Sequence, residues 1–314
     1  MTEVTMTTVK GNTSAVEHLA AMRWHMRPFA PAADRECVEW LWQAAMPPAW
    51  PLLADGIAQL GEGLVAEAGT GPVGFVALDV AGSIPLILVA PEYQRRGIGT
   101  ALLAAALDHM RDGGATGVTA GSGGRSYIWP GVPLDLPGAV RFFTARRWER
   151  SHDTLDLVTD LRRYRPPPGA YEDAASKGVT ITQPASADLA DVLAFEAATF
   201  PSWSHWFAVA SPPGMLIARD GAGPITGTLL LDGPGADTVF APILGPAAGT
   251  IGCVGVAAPR QQEGIGTALV ARASEILREA GTRNCHIGWT TRESFYRHAG
   301  YRPWRRYAMF SSPA

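Results

Sequence analysis

Two glycine-bearing turns, one in each half of the chain, carry the residues whose types and spacing suggest chemistry. The second-half turn is Gln261-Gln262-Glu263-Gly264-Ile265-Gly266, and the first-half turn is Gln94-Arg95-Arg96-Gly97-Ile98-Gly99. Glycines let backbone N–H groups approach an anion closely. A helical pattern follows each turn, and the first N–H groups of a helix have no partner within it, while the helix dipole adds partial positive charge. Each turn therefore predicts an anion site.

Each turn lies between a predicted strand and a predicted helix. In the second half the apolar run Ile251–Ala257 precedes the turn, and a helix is expected to open at Thr267. In the first half the run Leu86–Val89 has the same place, and Thr100 opens the helix. Apolar residues recur at helical spacing after both turns, and the string Gly-Ile-Gly-Thr-Ala-Leu is identical in both. A lone G-x-G usually marks only a turn, whereas two copies in one context indicate a duplicated anion site.

The order of predicted elements also occurs twice, which indicates an internal duplication. The predicted division is a flexible extension over residues 1–22, a domain over 23–161, a proline-rich linker over 162–177 and a domain over 178–314. The run Pro166-Pro167-Pro168-Gly169 suggests that this linker is an extended, semi-rigid spacer. The predictions for the second domain include a helix over Ala187–Phe200, a loop over Pro201–Trp206, a strand over Asn284–Trp289 and a short helix over Glu293–His298.

Composition limits the class of protein. A length of 314 residues suits two domains, and 47% apolar with 18% charged residues describes a globular chain. The net charge of −3 gives no electrostatic basis for nucleic-acid binding, and no apolar run approaches the ~20 residues of a membrane span. Cys37, Cys253 and Cys285 lack metal-ligand spacing, so we expect no metal site and a reducing, cytoplasmic location. The first residues lack the pattern of a secretory signal.

These residues resemble the GNAT superfamily of N-acetyltransferases, twice over. The family motif Q/R-x-x-G-x-G/A fits both turns. The family also places an aromatic residue four positions before a Gly-aromatic pair. Tyr296 before Gly300-Tyr301 matches this pattern, whereas Phe143 before Arg147-Trp148 matches only in outline. A softer resemblance is to two-domain GNAT proteins found beside or fused to bacterial N-acetylglucosaminidases.

The resemblance implies an α/β (α+β) fold of two tandem GNAT domains, with acetyl-coenzyme A as cofactor. Each domain would hold a mixed, mostly antiparallel sheet with a splayed parallel pair of strands and flanking helices. The turn would bind the pyrophosphate through backbone N–H groups. The implied cofactor contacts are Val254, Gly255, Val256, Gln261, Gln262, Glu263, Gly264, Ile265, Gly266 and Thr267 in the second half, and Leu88, Val89, Gln94, Arg95, Arg96, Gly97, Ile98, Gly99 and Thr100 in the first.

Acetyl transfer to an amine requires a proton acceptor, donors aimed at the thioester carbonyl and a proton for the leaving thiolate. By resemblance the proton comes from Tyr296 and the carbonyl donor from a strand N–H. Glycines in the second-half strand could form a bulge that exposes the N–H of Gly255 or Val256. Phe143 cannot donate a proton, so we favour the second half for chemistry.

Two features leave the assignment of the working half and of the general base open. Glu263 would disfavour a pyrophosphate in the second turn unless its side chain points away, while Arg95 and Arg96 are good phosphate partners in the first. For the general base, three candidates remain open: His286, His205 and Glu196.

The loop aromatics Trp203, His205 and Trp206, with Trp289 at the end of its strand, could line an amine pocket or merely cover the core. The expected activity is therefore acetyl-coenzyme A-dependent N-acetylation of a primary amine of a small molecule. An amino sugar follows from the softer resemblance only, and a homodimer is an open option.

Two other classes of function compete with this one. A non-catalytic acyl-coenzyme A-binding or scaffold protein is the alternative that Phe143 and Glu263 favour. A dinucleotide-binding enzyme is excluded because G-x-G-x-x-G is not met: Leu102 and Leu269 stand where the third glycine would be.

Overall fold

The structure is a computed structural model that describes residues 24–69, 71–79, 82–121, 127–235 and 239–313. The predicted extension over residues 1–22 lies outside the described residues. Contacts divide the chain into two compact units, with the boundary after Ile128. This boundary places residues 129–161, which the sequence assigns to the first domain, in the second unit. The predicted domain limits themselves stay a prediction.

The first unit combines three helices with a four-stranded antiparallel sheet in its described residues. Its elements in chain order are β1 (Trp24–Pro28), α1 (Pro31–Ala45), α2 (Ala54–Ala58), β2 (Glu62–Ala68), β3 (Gly71–Leu78), β4 (Ser83–Ile84), β5 (Ile87–Val89), α3 (Ile98–Asp112) and β6 (Thr119–Ala120). One sheet has the order β1-β2-β3-β5, with neighbouring strands antiparallel. β4 pairs instead with β6, in parallel. β2 and β3 pair antiparallel from Ala68 and Gly71 to Glu62 and Leu78.

Helix α3 packs closely on this sheet because β3 has a glycine at the contact. A Cβ at Gly74 would lie 3.0 Å from Leu102 Cδ1 and 3.1 Å from Ile98 Cγ2. In the second unit a Cβ at Gly227 would lie 3.2 Å from Leu269 Cδ1. The helix after each glycine turn therefore lies against its sheet in the same way in both units.

The second unit is built on one long mixed sheet. Its elements are β7 (Val132–Pro133), α4 (Pro137–Thr144), β8 (Glu149–Asp160), α5 (Glu172–Ser176), β9 (Val179–Thr182), α6 (Leu189–Thr199), α7 (Ser204–Val209), β10 (Met215–Asp220), β11 (Ile225–Asp232), α8 (Ala241–Leu244), β12 (Ala248–Val256), α9 (Ile265–Glu279), β13 (Asn284–Thr290), α10 (Glu293–His298) and β14 (Arg302–Ser311). The strand order is β14-β8-β13-β12-β11-β10-β9, and β7 pairs with β14. Only the β12–β13 pair among these is parallel.

Helices cover both faces of this sheet. Successive residues of a strand point to opposite faces, and β10 shows this division clearly. Leu216 belongs to a core cluster with Ile265 and Leu269 of α9. Met215 and Ile217 belong to another cluster, with Val192 of α6 and Phe207 of α7. One face therefore carries α9, and the other carries α6 and α7. Among the described residues, no helix is long and apolar enough to cross a membrane.

Several predicted boundaries shift for identifiable physical reasons. Helices α3 and α9 begin two residues before Thr100 and Thr267, because Gly97 and Gly264 adopt left-handed backbone and cap them. The predicted loop Pro201–Trp206 is wrong in its second half, where α7 begins at Ser204. Phe207 of this helix is 1% exposed, so burial of an apolar side chain orders the segment.

The predicted linker 162–177 is also folded rather than an extended spacer. Tyr164 is 4% exposed and Ala174 is 2% exposed, and both belong to the core cluster that contains α9. Tyr171 Oη donates to Glu275 Oε2 of α9 over 2.5 Å. The apolar side chains on either side of the three prolines therefore bind this segment to the second unit.

Candidate functional site

The two parallel strands of the second unit separate part of the way along their length. β12 and β13 pair from Ala248 and Asn284 up to Ile251 and Ile287. Beyond Ile251, β12 pairs only with β11. The first unit shows a related break, because β4 pairs with β6 whereas β5 pairs only with β3. A strand that leaves its parallel neighbour exposes one edge of backbone groups.

A β-bulge lies where β12 separates from β13. The β11–β12 register shifts between Thr228 and Leu230: Leu230 pairs with Gly252 and Thr228 with Gly255. The unpaired residues in between are Cys253 and Val254. Cys253 has a φ of +48°, which is unusual for a residue with a side chain. The expected bulge is therefore present, but it lies at Cys253–Val254 rather than at Gly255 or Val256, which are paired with β11.

The two glycine turns have the same local geometry. Arg95 and Gln262 both have positive φ angles, of 63° and 67°. In each turn the first glutamine donates its side-chain amide to the preceding strand: Gln94 Nε2 lies 3.0 Å from Val89 O, and Gln261 Nε2 lies 3.1 Å from Val256 O. Each turn leads directly into a 15-residue helix, and the start of a helix is the place where its dipole favours an anion.

The charges around the two turns differ. Arg95 and Arg96 are exposed in the first turn, and the space beside Gly97 is open to 4 Å. In the second turn the Glu263 carboxylate points to Arg260, with Oε2 2.7 Å from Nε. This ion pair reduces the negative charge that Glu263 presents to an anion at the turn. The Glu263 side chain thus meets the requirement, stated from the sequence, that it point away from a bound pyrophosphate.

The second turn is also more enclosed than the first. A Cβ at Gly264 would lie 2.5 Å from Asp173 Cβ of α5, and one at Gly266 would lie 3.2 Å from the Phe295 ring. Neither of these positions tolerates a side chain without movement of its neighbours. Asp173 of α5 and Phe295 of α10 therefore border the second turn.

A pair of glycine substitutions would count the anion sites. We expect Gly266→Asp to weaken acetyl-coenzyme A binding at the second turn by at least about 10-fold, because a carboxylate repels phosphate and the side chain collides with Phe295. Gly99→Asp should do the same at the first turn. Isothermal titration calorimetry gives stoichiometry and affinity for each variant. Gly266→Ala and Gly99→Ala add a Cβ without a charge, so they serve as controls that separate crowding from charge repulsion. Unchanged acetyl-coenzyme A binding in both aspartate variants would show that neither turn is the binding site.

Tyr296 lies in α10 and is 7% exposed, within the core cluster that contains α9. Burial raises the pKa of its phenol above the usual value, and the nearby Cys253 adds to this. The hydroxyl therefore keeps its proton at neutral pH, as a proton donor to a thiolate must.

Glu196 approaches the same bulge from the opposite face of the sheet. It lies in α6 and is fully buried, with Oε1 2.5 Å from the donating Thr228 Oγ1. Within the described part of the chain, its Oε2 is buried and has no hydrogen-bond partner. Burial raises the pKa of Glu196 to about 7, although the Thr228 hydroxyl lowers it, and the carboxyl contributes to the raised pKa of Cys253. A carboxyl with this pKa can accept a proton near neutral pH.

The raised pKa of Glu196 has a consequence for stability. Because the folded state binds this proton more tightly than the unfolded chain, stability is lost as pH rises from about 4.5 to about 7. We expect Glu196→Gln to remove this loss, because glutamine does not titrate. The free energy of unfolding of the variant should therefore increase relative to that of the wild type as pH rises, by roughly 3 kcal/mol at most. Urea unfolding at pH 5, 6, 7 and 8 measures the difference. A difference that does not vary with pH would contradict the assignment.

His286 lies elsewhere on the sheet, beside a carboxylate that sequence analysis missed. His286 is 6% exposed, and its Nε2 lies 3.2 Å from Asp156 Oδ2. Asp156 is fully buried in β8. The one signal in the sequence is an aspartate between Leu155 and Leu157, in the stretch of β8 that is buried.

The predicted pocket aromatics do not form one cluster. Trp203 stacks on Phe200 with ring centroids 4.9 Å apart and packs against the core beneath α6 and α7. His205 contacts Trp206, which is 45% exposed, and Trp289 is 46% exposed. Trp203 therefore covers the core, while Trp206 and Trp289 have surface available to a ligand.

Phe143, the first-half counterpart expected for Tyr296, is a packing residue. It is 3% exposed, and its ring centroid lies 4.9 Å from that of Trp148 and 5.7 Å from that of Phe310. Both partners belong to the second unit, as does Phe143 itself. Packing among these aromatic rings accounts for a phenyl side chain at this position. Phe143 needs no role in proton transfer.

Comparisons with known proteins give a family match for one part of the chain and the fold for nearly all of it. A family model described as "Acetyltransferase (GNAT) family" matches residues 19–123. No curated protein matches the chain. A solved structure described as a GCN5-related glucosamine N-acetyltransferase region in a fungal multi-domain GH3 β-N-acetylglucosaminidase is 26% identical, with a TM-score of 0.85. The match covers 92% of this chain but 38% of that one, so the chain spans less than half of that protein.

Two further structures match over their full or nearly full length. Their sequence identities to this chain are low, so they show the fold alone. A GCN5-related N-acetyltransferase from Sphaerobacter thermophilus is 19% identical with a TM-score of 0.68, and the match covers 92% of this chain and 95% of that one. A tandem GNAT protein from the clavulanic acid biosynthesis pathway is 20% identical with a TM-score of 0.65, and the match covers 93% of this chain and 100% of that one. The predicted α/β fold of two GNAT domains is confirmed, and residues 19–123 match the acetyltransferase (GNAT) family model.

Proposed function

We propose that the protein is an acetyl-coenzyme A-dependent N-acetyltransferase that acts on a primary amine of a small molecule, with its catalytic centre in the second unit. The observation that carries this proposal is the bulge at Cys253–Val254, where β12 leaves β13. Glu196 accepts a hydrogen bond from Thr228 at the edge of this bulge, and Tyr296 belongs to the core cluster on the other face of the sheet. An acid, a base and unpaired backbone groups are the three requirements of acyl transfer to an amine.

The residues present fit acetyl-coenzyme A. The turn at Gly264 presents the N–H groups that open α9, which suit a pyrophosphate. The bulge leaves Cys253 and Val254 without partners on β11, which gives backbone donors for a thioester carbonyl. When bound there, acetyl-coenzyme A supplies the activated acetyl group.

The side chains then divide the proton transfers. A protonated alkylamine such as the lysine side chain has a pKa of about 10.4, and any protonated amine must lose a proton before its nitrogen can attack. Glu196, with a pKa of about 7, accepts that proton and returns it to solvent. Tyr296 gives its proton to the sulfur as the carbon–sulfur bond breaks. Backbone N–H groups at the bulge hold the negative charge on the carbonyl oxygen.

The acceptor class is proposed from one neighbour. The fungal protein with a TM-score of 0.85 contains a region described as a glucosamine N-acetyltransferase. We therefore place amino sugars first among acceptors. The free cysteines suit the reducing, cytoplasmic location expected from the sequence. A homodimer stays a prediction.

A thiol-release screen tests the proposed function. Purified protein is incubated with acetyl-coenzyme A and a panel of amino sugars, amino acids, polyamines and aminoglycosides, and free thiol is followed by its reaction with a chromogenic disulfide. Mass spectrometry then identifies the acetylated product. We expect turnover with at least one amino sugar. Hydrolysis at the same rate without an amine is the control for adventitious thioester cleavage.

A second candidate is a non-catalytic acyl-coenzyme A-binding protein. It is favoured by the enclosure of Gly264 and Gly266 by Asp173 and Phe295, and by the open, basic first turn. Calorimetric binding of acetyl-coenzyme A without turnover on any amine would favour this candidate. In that case loss of binding in Gly99→Asp would place the ligand at the first turn.

A further inference from the structure

A short helix of the proline-rich segment lies directly against the second glycine turn. This helix is α5, which follows the three prolines and ends before β9. A Cβ added at Gly264 would lie 2.5 Å from Asp173 Cβ and 3.4 Å from Ala174 N. At these distances no space separates α5 from the turn. Helix α5 therefore closes the side of the turn toward which a side chain at Gly264 would point.

The first turn has the same backbone geometry but no such cover. Gly97 and Gly264 both cap their helices in the left-handed region, with φ angles of 87° and 79°. Within the described ranges, no atom of another segment lies within 4 Å of a Cβ placed at Gly97. Gly97 is exposed, whereas Gly264 is half-buried. The cover is thus a property of α5 and not of the turn's own conformation.

Helix α5 also brings negative charge to the turn. Glu172 and Asp173 stand in its first turn, and both are exposed. The Cβ of Asp173 contacts the turn, so its carboxylate lies close to any anion bound there. At such a short distance salt does not fully screen two charges, since the screening length is about 8 Å at physiological salt. Asp173 therefore opposes the binding of a phosphate at this turn.

Arg260 ties the end of α5 to the turn. Its Nε donates to Glu263 Oε2 of the turn over 2.7 Å, and its Nη1 donates to Asp220 Oδ2 over 2.7 Å. Its Nη2 donates to the backbone carbonyl of Lys177, the residue that follows α5, over 3.3 Å. The same guanidinium thus holds the turn and the chain that leaves α5.

The segment that carries α5 is bounded by two glycines. Gly169 and Gly178 both have a φ of +76°, a conformation that glycine adopts without steric cost. Between them Ala174 is buried and Tyr171 bonds to α9, whereas the other residues of α5 are exposed. A helix with one buried side chain has low local stability. This segment can therefore move at a smaller cost than the elements of the core.

We propose that α5 is an inhibitory strap on the second turn, which acetyl-coenzyme A displaces when it binds there. The proposal rests on the proposed function, which assigns the pyrophosphate to this turn. Because part of the binding free energy is used to displace α5, the observed affinity is lower than that of the uncovered turn. The Asp173 carboxylate lowers it further. The strap thus sets the coenzyme concentration at which the second unit begins to work.

Asp173→Asn tests the charge of the strap, because the amide keeps the size of the side chain and removes the carboxylate. The background is Gly99→Asp, in which the first turn is blocked. We expect the dissociation constant of acetyl-coenzyme A to fall by about 3- to 10-fold, and to fall further in Asp173→Lys. Calorimetry at low and high salt should show a smaller gain at high salt. A dissociation constant that does not fall in either variant would overturn the proposal.

Glu279→Gln is the matched control for this charge change. It removes one exposed carboxylate at the far end of α9, about 20 Å from the turn. In the same background it should change the dissociation constant by less than about 2-fold, because salt screens a charge at that distance. An equal gain in Asp173→Asn and Glu279→Gln would reflect net charge alone and would overturn the proposal.

Hydrogen exchange read by mass spectrometry tests the movement of the strap. We expect the amides of residues 172–177 to exchange at least about 3-fold faster in the wild type when acetyl-coenzyme A is saturating, because α5 leaves its contacts. The amides in the middle of α9 should not exchange faster. A fixed helix that only carries a charge would show no such change. Unchanged or slower exchange in α5 would overturn the strap.

These measurements separate failure of the strap from failure of the proposed function. If the wild type releases no thiol with any amine, the proposed function fails, and binding and exchange still decide on the strap. If the wild type releases thiol but no variant in the Gly99→Asp background binds acetyl-coenzyme A, the strap is overturned and the acetyltransferase activity stands. If the Asp173 variants do not fold, the exchange measurement decides, because it needs no substitution.

Discussion

Tyr296→Phe is expected to lower turnover by about 10²–10⁴-fold, the usual contribution of a positioned general acid. The phenyl ring keeps the packing of the buried side chain and removes only the donor. Acetyl-coenzyme A affinity should change little, because the hydroxyl acts on the leaving sulfur and not on the phosphates. Steady-state rates with the best amine of the screen, together with calorimetric binding, measure both quantities.

Tyr301 provides the matched control for this experiment. It lies five residues further along the chain and is also buried, and its hydroxyl shares a 2.7 Å hydrogen bond with Ser274. Tyr301→Phe should cost about 1 kcal/mol of stability and leave turnover unchanged. Full activity in Tyr296→Phe, together with loss of activity when Arg95 and Arg96 are both changed to alanine, would move the working site to the first unit.

Glu196→Gln is expected to reduce kcat/KM by about 10²–10⁴-fold at pH 8, where the wild-type carboxyl is ionised and can accept a proton. In the wild type, kcat/KM should rise with pH through about 7 and then level off, because only the deprotonated carboxyl acts as a base. In the variant this step should be absent. The measurement is a pH–rate profile under subsaturating amine.

Glu275→Gln is the control for the loss of a carboxylate that accepts a hydroxyl. Glu275 accepts a hydrogen bond from the Tyr171 hydroxyl, just as Glu196 accepts one from the Thr228 hydroxyl. Glu275 lies in α9, whereas Glu196 lies in α6. Its variant should keep the wild-type profile. A profile with the same step near pH 7 in Glu196→Gln would show that another group is the base, and His286 would be the next to test.

The parts of the fold that the sequence predicted are those with local causes. The two glycine turns are an example, since left-handed backbone at Gly97 and Gly264 depends on the residue type at one position. Helices α3 and α9 follow from their apolar spacing over 15 residues. The repeat of the same turn in both halves then strengthened each prediction. The resemblance to the family supplied the role of Tyr296.

The parts that the sequence did not predict depend on contacts between distant segments. Asp156 and Tyr307 are 151 residues apart in the chain, so no local pattern announces their hydrogen bond. The folding of the proline-rich segment onto α9 depends on Tyr164 and Tyr171 finding partners more than a hundred residues away. The bulge lies at Cys253 rather than at a glycine because the register with β11 decides it.

Strand β8 has a consequence for any attempt to study the second domain by itself. It comes from residues 149–160, before the proline-rich segment, yet it lies between β13 and β14. A fragment that starts at residue 178, the predicted domain boundary, would leave both neighbours with open edges, and open edges promote aggregation. It would also lack Asp156. A fragment that represents the second unit must therefore include the chain from at least Glu149 onward.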